Sequence, residues 1–152
     1  QQRVDEVGID IISYSNNKYT SVGQRVTYAI NSWDVIKKNP IIGIGTGDFP
    51  MEYKKINQIN TPKLPNATNP HNMYTLVAMQ LGVLGLISML SIFYYQIKLS
   101  FNSSNRFIRD VGITLPLLFL VIMWSDSYLL GHYTTLMFVF FSSFLYKDFE
   151  KS

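Results

Sequence analysis

Cysteine is absent from the 152 residues. That excludes a disulfide framework and thiolate-bound metal, and leaves the compartment open. Charge is scarce and unevenly placed. Asp, Glu, Lys and Arg make up 15% of the chain, and none of them occurs between Met73 and Ile97. From Val111 to Tyr146 only Asp126 and His132 ionise. Residues 1–72, by contrast, carry eight Lys/Arg and six Asp/Glu. A soluble domain spreads its apolar residues along the chain at periods of 2 or 3.6 and does not pile them at one end. An initiator Met and a signal peptide are also missing, so the expectation is the C-terminal piece of a larger multi-span protein. No internal repeat is present.

The uncharged runs read as membrane helices. About 20 apolar residues cross the hydrocarbon core, and Met73–Ile97 supplies one span of ample length, with Gly82 and Gly85 offering close helix approach. Residues 98–110 form a loop with Lys98, Arg106 and Arg109 against one acid. Residues 111–146 are too long for one straight span, and the polar knot "SDSYLLGH" predicts two short helices with a turn near 125–132. Short basic loops face the cytoplasm, which puts the 98–110 loop and the 147–152 tail inside. The fold class expected is therefore all-α and integral to the membrane. A polar extracytoplasmic loop, residues 1–72, precedes three C-terminal transmembrane helices. Residues 1–72 and the Asp126 turn then lie outside.

Within 1–72 the clearest element is a helix at about 21–38. "SVGQ" at 21–24 fits a capping box, with Ser21 as the cap. Val22, Val26, Ala29, Ile30, Trp33 and Ile36 recur at helical spacing as one apolar stripe, and Asn39-Pro40 ends the helix. Arg25 falls at the edge of that stripe, while Thr27, Asp34 and Lys38 fall on the opposite, wet face. An arginine there either snorkels along an amphipathic helix or points into a cleft to hold an anion. "IIGIGTGDF" at 41–49 lacks both the spacing of a dinucleotide fingerprint and a following G-K-S/T. A glycine-rich turn that brings backbone close to a neighbour is the better account. Residues 57–70, with three prolines and four asparagines, read as loop.

His71 stands where the polar segment meets the first uncharged run. Asn69 as N-cap and Pro70 as first helical residue would put His71 and Asn72 in the first turn of the span. The positive end of that helix favours a neutral ring able to accept a proton, and its free N–H groups offer a seat for a phosphate. The alternative is a histidine at a polar–apolar boundary for amphipathic reasons alone. Asp126 and His132 are the other ionisable groups at membrane depth. Asp126 either caps a short turn or contacts an acceptor.

The series Trp33, Ile36, Asn39-Pro40, then Gly43 to Phe49, a variable loop, Pro70-His71-Asn72, Tyr74 and Gln80 to Leu86 resembles the O-antigen ligase/polymerase family. The "DSYLLGH" turn and final aromatic span also resemble the end of such proteins. The resemblance covers about residues 20–146. It implies a membrane glycosyltransferase that needs neither metal nor cofactor. Such an enzyme moves a glycan from undecaprenyl pyrophosphate to an acceptor hydroxyl at the periplasmic face of the bacterial inner membrane. His71 matches the family's essential histidine and Arg25 the arginine that holds the pyrophosphate. Asn72 and Asp126 are candidate acceptor contacts, and Arg3 is a weak match for a second, upstream arginine. The partners implied are the lipid-linked glycan, a lipid A–core or glycan acceptor, and the bilayer, without nucleic acid. Ligase, polymerase and protein O-glycosyltransferase share this chemistry and differ in the acceptor. A transporter or flippase fragment is the reading from another class. Broken helices and repeats would favour it, whereas residues 73–97 read as one continuous span.

Overall fold

A computed structural model describes residues 18–147, the side chains of 144–147 excepted. Arg3 and the end of the basic tail lie outside the described residues. Five α-helices and one 3-10 turn occur among the described residues, with no strand. The helices are α1 (Ser21–Ile36), α2 (Phe49–Asn60), α3 (Met73–Phe101), α4 (Arg106–Ile122) and α5 (His132–Lys147), with the 3-10 turn at Tyr128–Leu130.

Helix α1 starts one residue earlier than a Ser21 cap requires. Thr20 is the N-cap, and its hydroxyl accepts from the Gly23 N–H at 3.0 Å. The helix stops at Ile36, not 38. Its buried face is also not the apolar stripe. Gly23, Thr27, Tyr28, Asn31, Ser32 and Val35 turn inward, while Ile30 and Trp33 are exposed. Thr27, expected on the wet face, is buried. Polar pairing explains the inversion. The Asn31 amide donates to the Thr61 hydroxyl at 2.9 Å and to the Tyr53 hydroxyl at 3.2 Å. Asn60 donates to Asn31 Oδ1 and Asp34 Oδ2, at 3.2 and 2.9 Å. That bond from Asn60, then one from Lys37, hold the Asp34 carboxyl below its usual range. Each such bond contributes only about 0.5–1.5 kcal/mol net, but a buried amide stripped of its partners costs more than that.

Those partners sit on a helix that the loop reading of 57–70 missed. Helix α2 reaches Asn60, with Pro50 in its first turn and Phe49, Tyr53, Ile56 and Asn57 buried. The asparagines of 57–66 are thus network members as well as turn formers. Asn57 donates to the Leu64 carbonyl and to Asn66 Oδ1, both at 3.0 Å.

Helix α3 has 29 residues, and among the described residues it alone is long and apolar enough to cross a membrane. Helices α4 and α5 have 17 and 16 residues, so one of the three expected spans is shown. Helix α3 runs on to Phe101 and α4 begins at Arg106, which shrinks the expected 98–110 loop to residues 102–105. The turn expected near 125–132 lies between α4 and α5, carrying the 3-10 segment.

The continuous span expected at 73–97 is interrupted at Gly82, whose φ of 64° and ψ of −159° are not helical. A break there interrupts the helical bonding around it. The Met79 and Gln80 carbonyls instead accept from the Ile44 and Gly45 N–H groups, at 2.9 and 3.0 Å. The Val83 and Leu84 N–H groups donate to the Pro40 and Ile41 carbonyls, at 2.9 and 3.2 Å. The glycine-rich turn therefore does bring backbone close to a neighbour. A Cβ on Gly43 would lie 2.4 Å from the Gln80 carbonyl carbon, and one on Gly82 2.3 Å from the Ile41 oxygen. Before the break α3 is largely buried. Beyond it, Gly85, Met89, Phe93, Gln96 and Ser100 form a buried stripe and the other faces are mostly exposed and apolar. On that stripe the Phe93 ring meets Phe138, and Gln96 donates to the Ser142 hydroxyl at 3.0 Å.

Gly43→Ala and Gly82→Ala should each destabilise the protein by more than the roughly 1–2 kcal/mol of a left-handed alanine. Gly47→Ala, with φ 90° but nothing within 4 Å of its Cβ position, should lose little beyond that conformational cost. Thermal unfolding in detergent measures the difference; equal losses at all three positions would refute the close approach.

Candidate functional site

Helix α1, tied to α3 through the segment 40–45 and to α2 through the polar network, reaches with Tyr28 the corner where α3 begins and α4 ends. The N-cap of α3 is Asn72 rather than Asn69. Its side-chain oxygen accepts from the Thr75 N–H at 2.9 Å. Met73 donates its N–H to the Met123 carbonyl at 2.9 Å, Asn72 its amide to the Trp124 carbonyl at 3.0 Å, and Tyr74 its hydroxyl to the Leu120 carbonyl at 2.6 Å. Three successive residues opening one helix thus satisfy carbonyls left over at the end of another. The Met73 and Thr75 N–H groups are already engaged, which closes part of the anion seat expected at this helix start.

His71 consequently stands just outside the helix, not in its first turn. Its φ is 52°, the left-handed region, and no other described non-glycine residue has a positive φ. Such a conformation costs on the order of 1–3 kcal/mol and persists only where the surroundings fix it. Three contacts fix it here. The His71 N–H donates to Asn69 Oδ1 at 2.9 Å. The ring stacks on Tyr28 of α1, with centroids 6.2 Å apart and planes at 26°. Nδ1 lies 3.2 Å from Asp126 Oδ1.

Asp126 is therefore brought to His71 from 55 residues away. Its Oδ1 also accepts from the Ser127 N–H at 2.7 Å, and the Ser127 hydroxyl donates to Asn69 Oδ1 at 2.7 Å. Asn69 thus ties the His71 backbone to the Asp126 turn. With its proton on Nδ1 the imidazole donates to the carboxylate and leaves the Nε2 lone pair outward. The pair is roughly 40% exposed on each side, so a ligand can reach it.

The remaining candidates divide. Asn72 has both polar side-chain atoms engaged and holds the corner together. Asp126 and His132 line one open cleft of about 380 Å³ with Asn69, Tyr128 and Tyr133. Arg25 is exposed and forms no ion pair with a described residue. It precedes Tyr28 by three residues, which makes the two neighbours on the α1 surface. Reading the sequence alone missed Tyr28, Asn69 and Ser127. A signal existed for Asn69, since an Asn two residues before a strained residue forms Asx turns. The contact of Tyr28 is long-range and left no local trace.

The described residues form an all-helical fold with one helix long and apolar enough to cross a membrane, and a strained, carboxylate-paired histidine at a helix junction. The O-antigen ligase family model matches residues 2–90, more than half the chain, and the chain belongs to that family. No curated protein matches it. Membership places the chain among membrane proteins of the bacterial envelope with O-antigen ligase or polymerase-type function, whose general partners are a lipid-linked glycan and an acceptor. The matched stretch holds Arg25, His71 and Asn72, whereas Asp126 and His132 lie beyond it.

Asn72→Asp keeps an acceptor for the Thr75 N–H but loses the donor to Trp124, and Asn72→Ala loses both. Stability should fall in the order wild type, Asp, Ala, with the alanine costing about 0.5–2 kcal/mol through the cap alone. An alanine variant as stable as wild type in thermal unfolding would remove Asn72 from its positioning role.

Proposed function

We propose that the chain forms the acceptor-activating part of a metal-independent glycosyltransferase of the inner membrane. It passes a glycan from undecaprenyl pyrophosphate to an acceptor hydroxyl, lipid A–core in the ligase case, at the periplasmic face. The residues 1–72 and the Asp126 turn then lie outside, with the 102–105 loop in the cytoplasm as the basic residues around it require. The observation that carries the proposal is the His71–Asp126 pair on a ring, Tyr28, one turn from Arg25.

The chemistry asks little more. Asp126 holds the imidazole with Nδ1 protonated, the arrangement by which a carboxylate orients a catalytic histidine elsewhere. Nε2 takes the proton of the acceptor hydroxyl as its oxygen bonds to the anomeric carbon. The bond from that carbon to the pyrophosphate oxygen breaks, and the departing pyrophosphate keeps the electron pair. Arg25 meets the charge that develops on it, where a planar fork does more than a point charge. The proton leaves the imidazolium for water or the pyrophosphate. Asn72 acts as a positioning residue, and the cleft of Asp126 and His132 adjoins the base on the acceptor side. The transporter reading finds one feature in its favour, the broken helix. The Val83 and Leu84 N–H groups and the Met79 and Gln80 carbonyls at the break are occupied by residues 40–45, so those groups offer no ion or substrate seat.

His71→Ala should lower glycan transfer by roughly 10²–10⁴-fold while the protein still inserts in the membrane. Asp126→Asn should lose a similar amount, because an amide can donate to Nδ1 and so selects the tautomer with Nε2 blocked. Arg25→Lys should lose most activity. Active His71→Gln enzyme would reduce the histidine to a positioning group, and active His71→Ala or Arg25→Ala enzyme would sink the assignment. Assays with lipid A–core and with a free glycan repeat as acceptor separate ligase from polymerase.

A further inference from the structure

The outward face of α1 needs an occupant. Trp33, Ile41 and Ile42 are 57, 64 and 69% exposed, and Ile30 joins them. Lys37 holds its ammonium 6.0 Å from the Trp33 ring centroid while pairing with Asp34 at 3.3 Å, and Lys38 beside it is exposed. The backbone exchange fixes where this face sits. Pro40 and Ile41 are bonded to Val83 and Leu84 of α3, where Leu81, Val83, Leu84 and Ile87 are exposed as well. The apolar surface therefore runs from the Ile41–Ile42 turn onto the span, where Ile42 lines one hollow with Leu81 and Leu84, and Trp33 is exposed on the helix that leads into that turn.

Helix lengths give the depth. Helix α4 is about 25 Å long, and the part of α3 from 83 to 101 is about 28 Å. The two are joined by residues 102–105 at one end, and at the other Met123, next to the end of α4, is bonded to Met73. The further 12 Å or so of α3 before Gly82 must then turn aside rather than lengthen the span. Gly82 accordingly marks the outer end of the membrane-crossing part, and Ile41 and Ile42 lie level with it.

We propose that Trp33–Ile42 is a membrane foot, seated at the boundary of acyl chains and headgroups in a bilayer containing anionic lipid. Ile41 and Ile42 enter the acyl region, and the Trp33 ring lies at the boundary, where indole is at home. Lys37 and Lys38 reach up to lipid phosphates. The foot sets the height of α1, and with it that of Tyr28 and Arg25, above the bilayer. It rests on α3 being a span and not on the chemistry assigned to His71.

The 152 residues include two tryptophans and no cysteine, which suits an indole probe at Trp33 and a cysteine-linked probe at position 42. In protein whose tryptophans other than Trp33 are replaced by phenylalanine, reconstituted into phosphatidylcholine–phosphatidylglycerol vesicles, Trp33 is the sole indole. Its emission should be blue-shifted, lose most of its intensity to lipids brominated near the headgroup, and resist aqueous iodide. A nitroxide on Ile42→Cys, with both tryptophans kept, should be relaxed by oxygen and not by a water-soluble nickel chelate. Quenching by iodide or relaxation by nickel would put the face in water and overturn the foot. Shielding from both lipid and aqueous quenchers would mean that protein covers it, and would overturn the foot equally. Glycan transfer retained in either case would leave the assignment of His71 standing.

Discussion

Four backbone hydrogen bonds across the break in α3 govern the arrangement of the rest. A helix cannot open in apolar surroundings without leaving carbonyls and N–H groups unpaired, each at several kcal/mol. The segment 40–45 takes up four such groups at once, and it can do so only because Gly43 and Gly82 let two backbones touch. That segment follows α1 directly, so the repair also anchors α1 against the span. The asparagine network then docks α2 onto α1, and Tyr28 comes to rest on His71.

The same logic of left-over groups builds the corner that holds the histidine. The opening of α3 and the end of α4 each have unsatisfied backbone, and Asn72, Met73 and Tyr74 match one set to the other. His71 is squeezed out of the helix into a left-handed conformation that Asn69, Tyr28 and Asp126 sustain. Strain at a reactive side chain with pre-formed partners is a common mark of a site where position matters more than stability.

Apart from α2, the helices and their order were legible from the sequence because apolar runs and charge alternate along it on a scale of tens of residues. His71, Arg25 and Asp126 stood out as charges or bases beside apolar runs, and the glycine-rich turn could be read as a close approach. Three things could not be read locally. The inward face of α1 is polar because its partner α2 is polar, and a stripe of Ile and Trp faces the core only if the core is less polar than what lies outside. Helix α2 was hidden by asparagines that normally signal turns but here pair with one another. The cap moved from Asn69 to Asn72 because both are good caps. The choice fell to the bonds that Asn72 and Met73 make with α4, which no local pattern encodes.

The central claim is that Asp126 holds His71 with the proton on Nδ1 and the Nε2 lone pair free. 15N NMR of histidine-labelled protein, with the His71 signals assigned by their loss in His71→Asn, reads the tautomer directly. The account predicts that neutral His71 carries its proton on Nδ1 and that Asp126→Asn moves it to Nε2. Neutral His71 with its proton on Nε2 in the unmodified protein would contradict it.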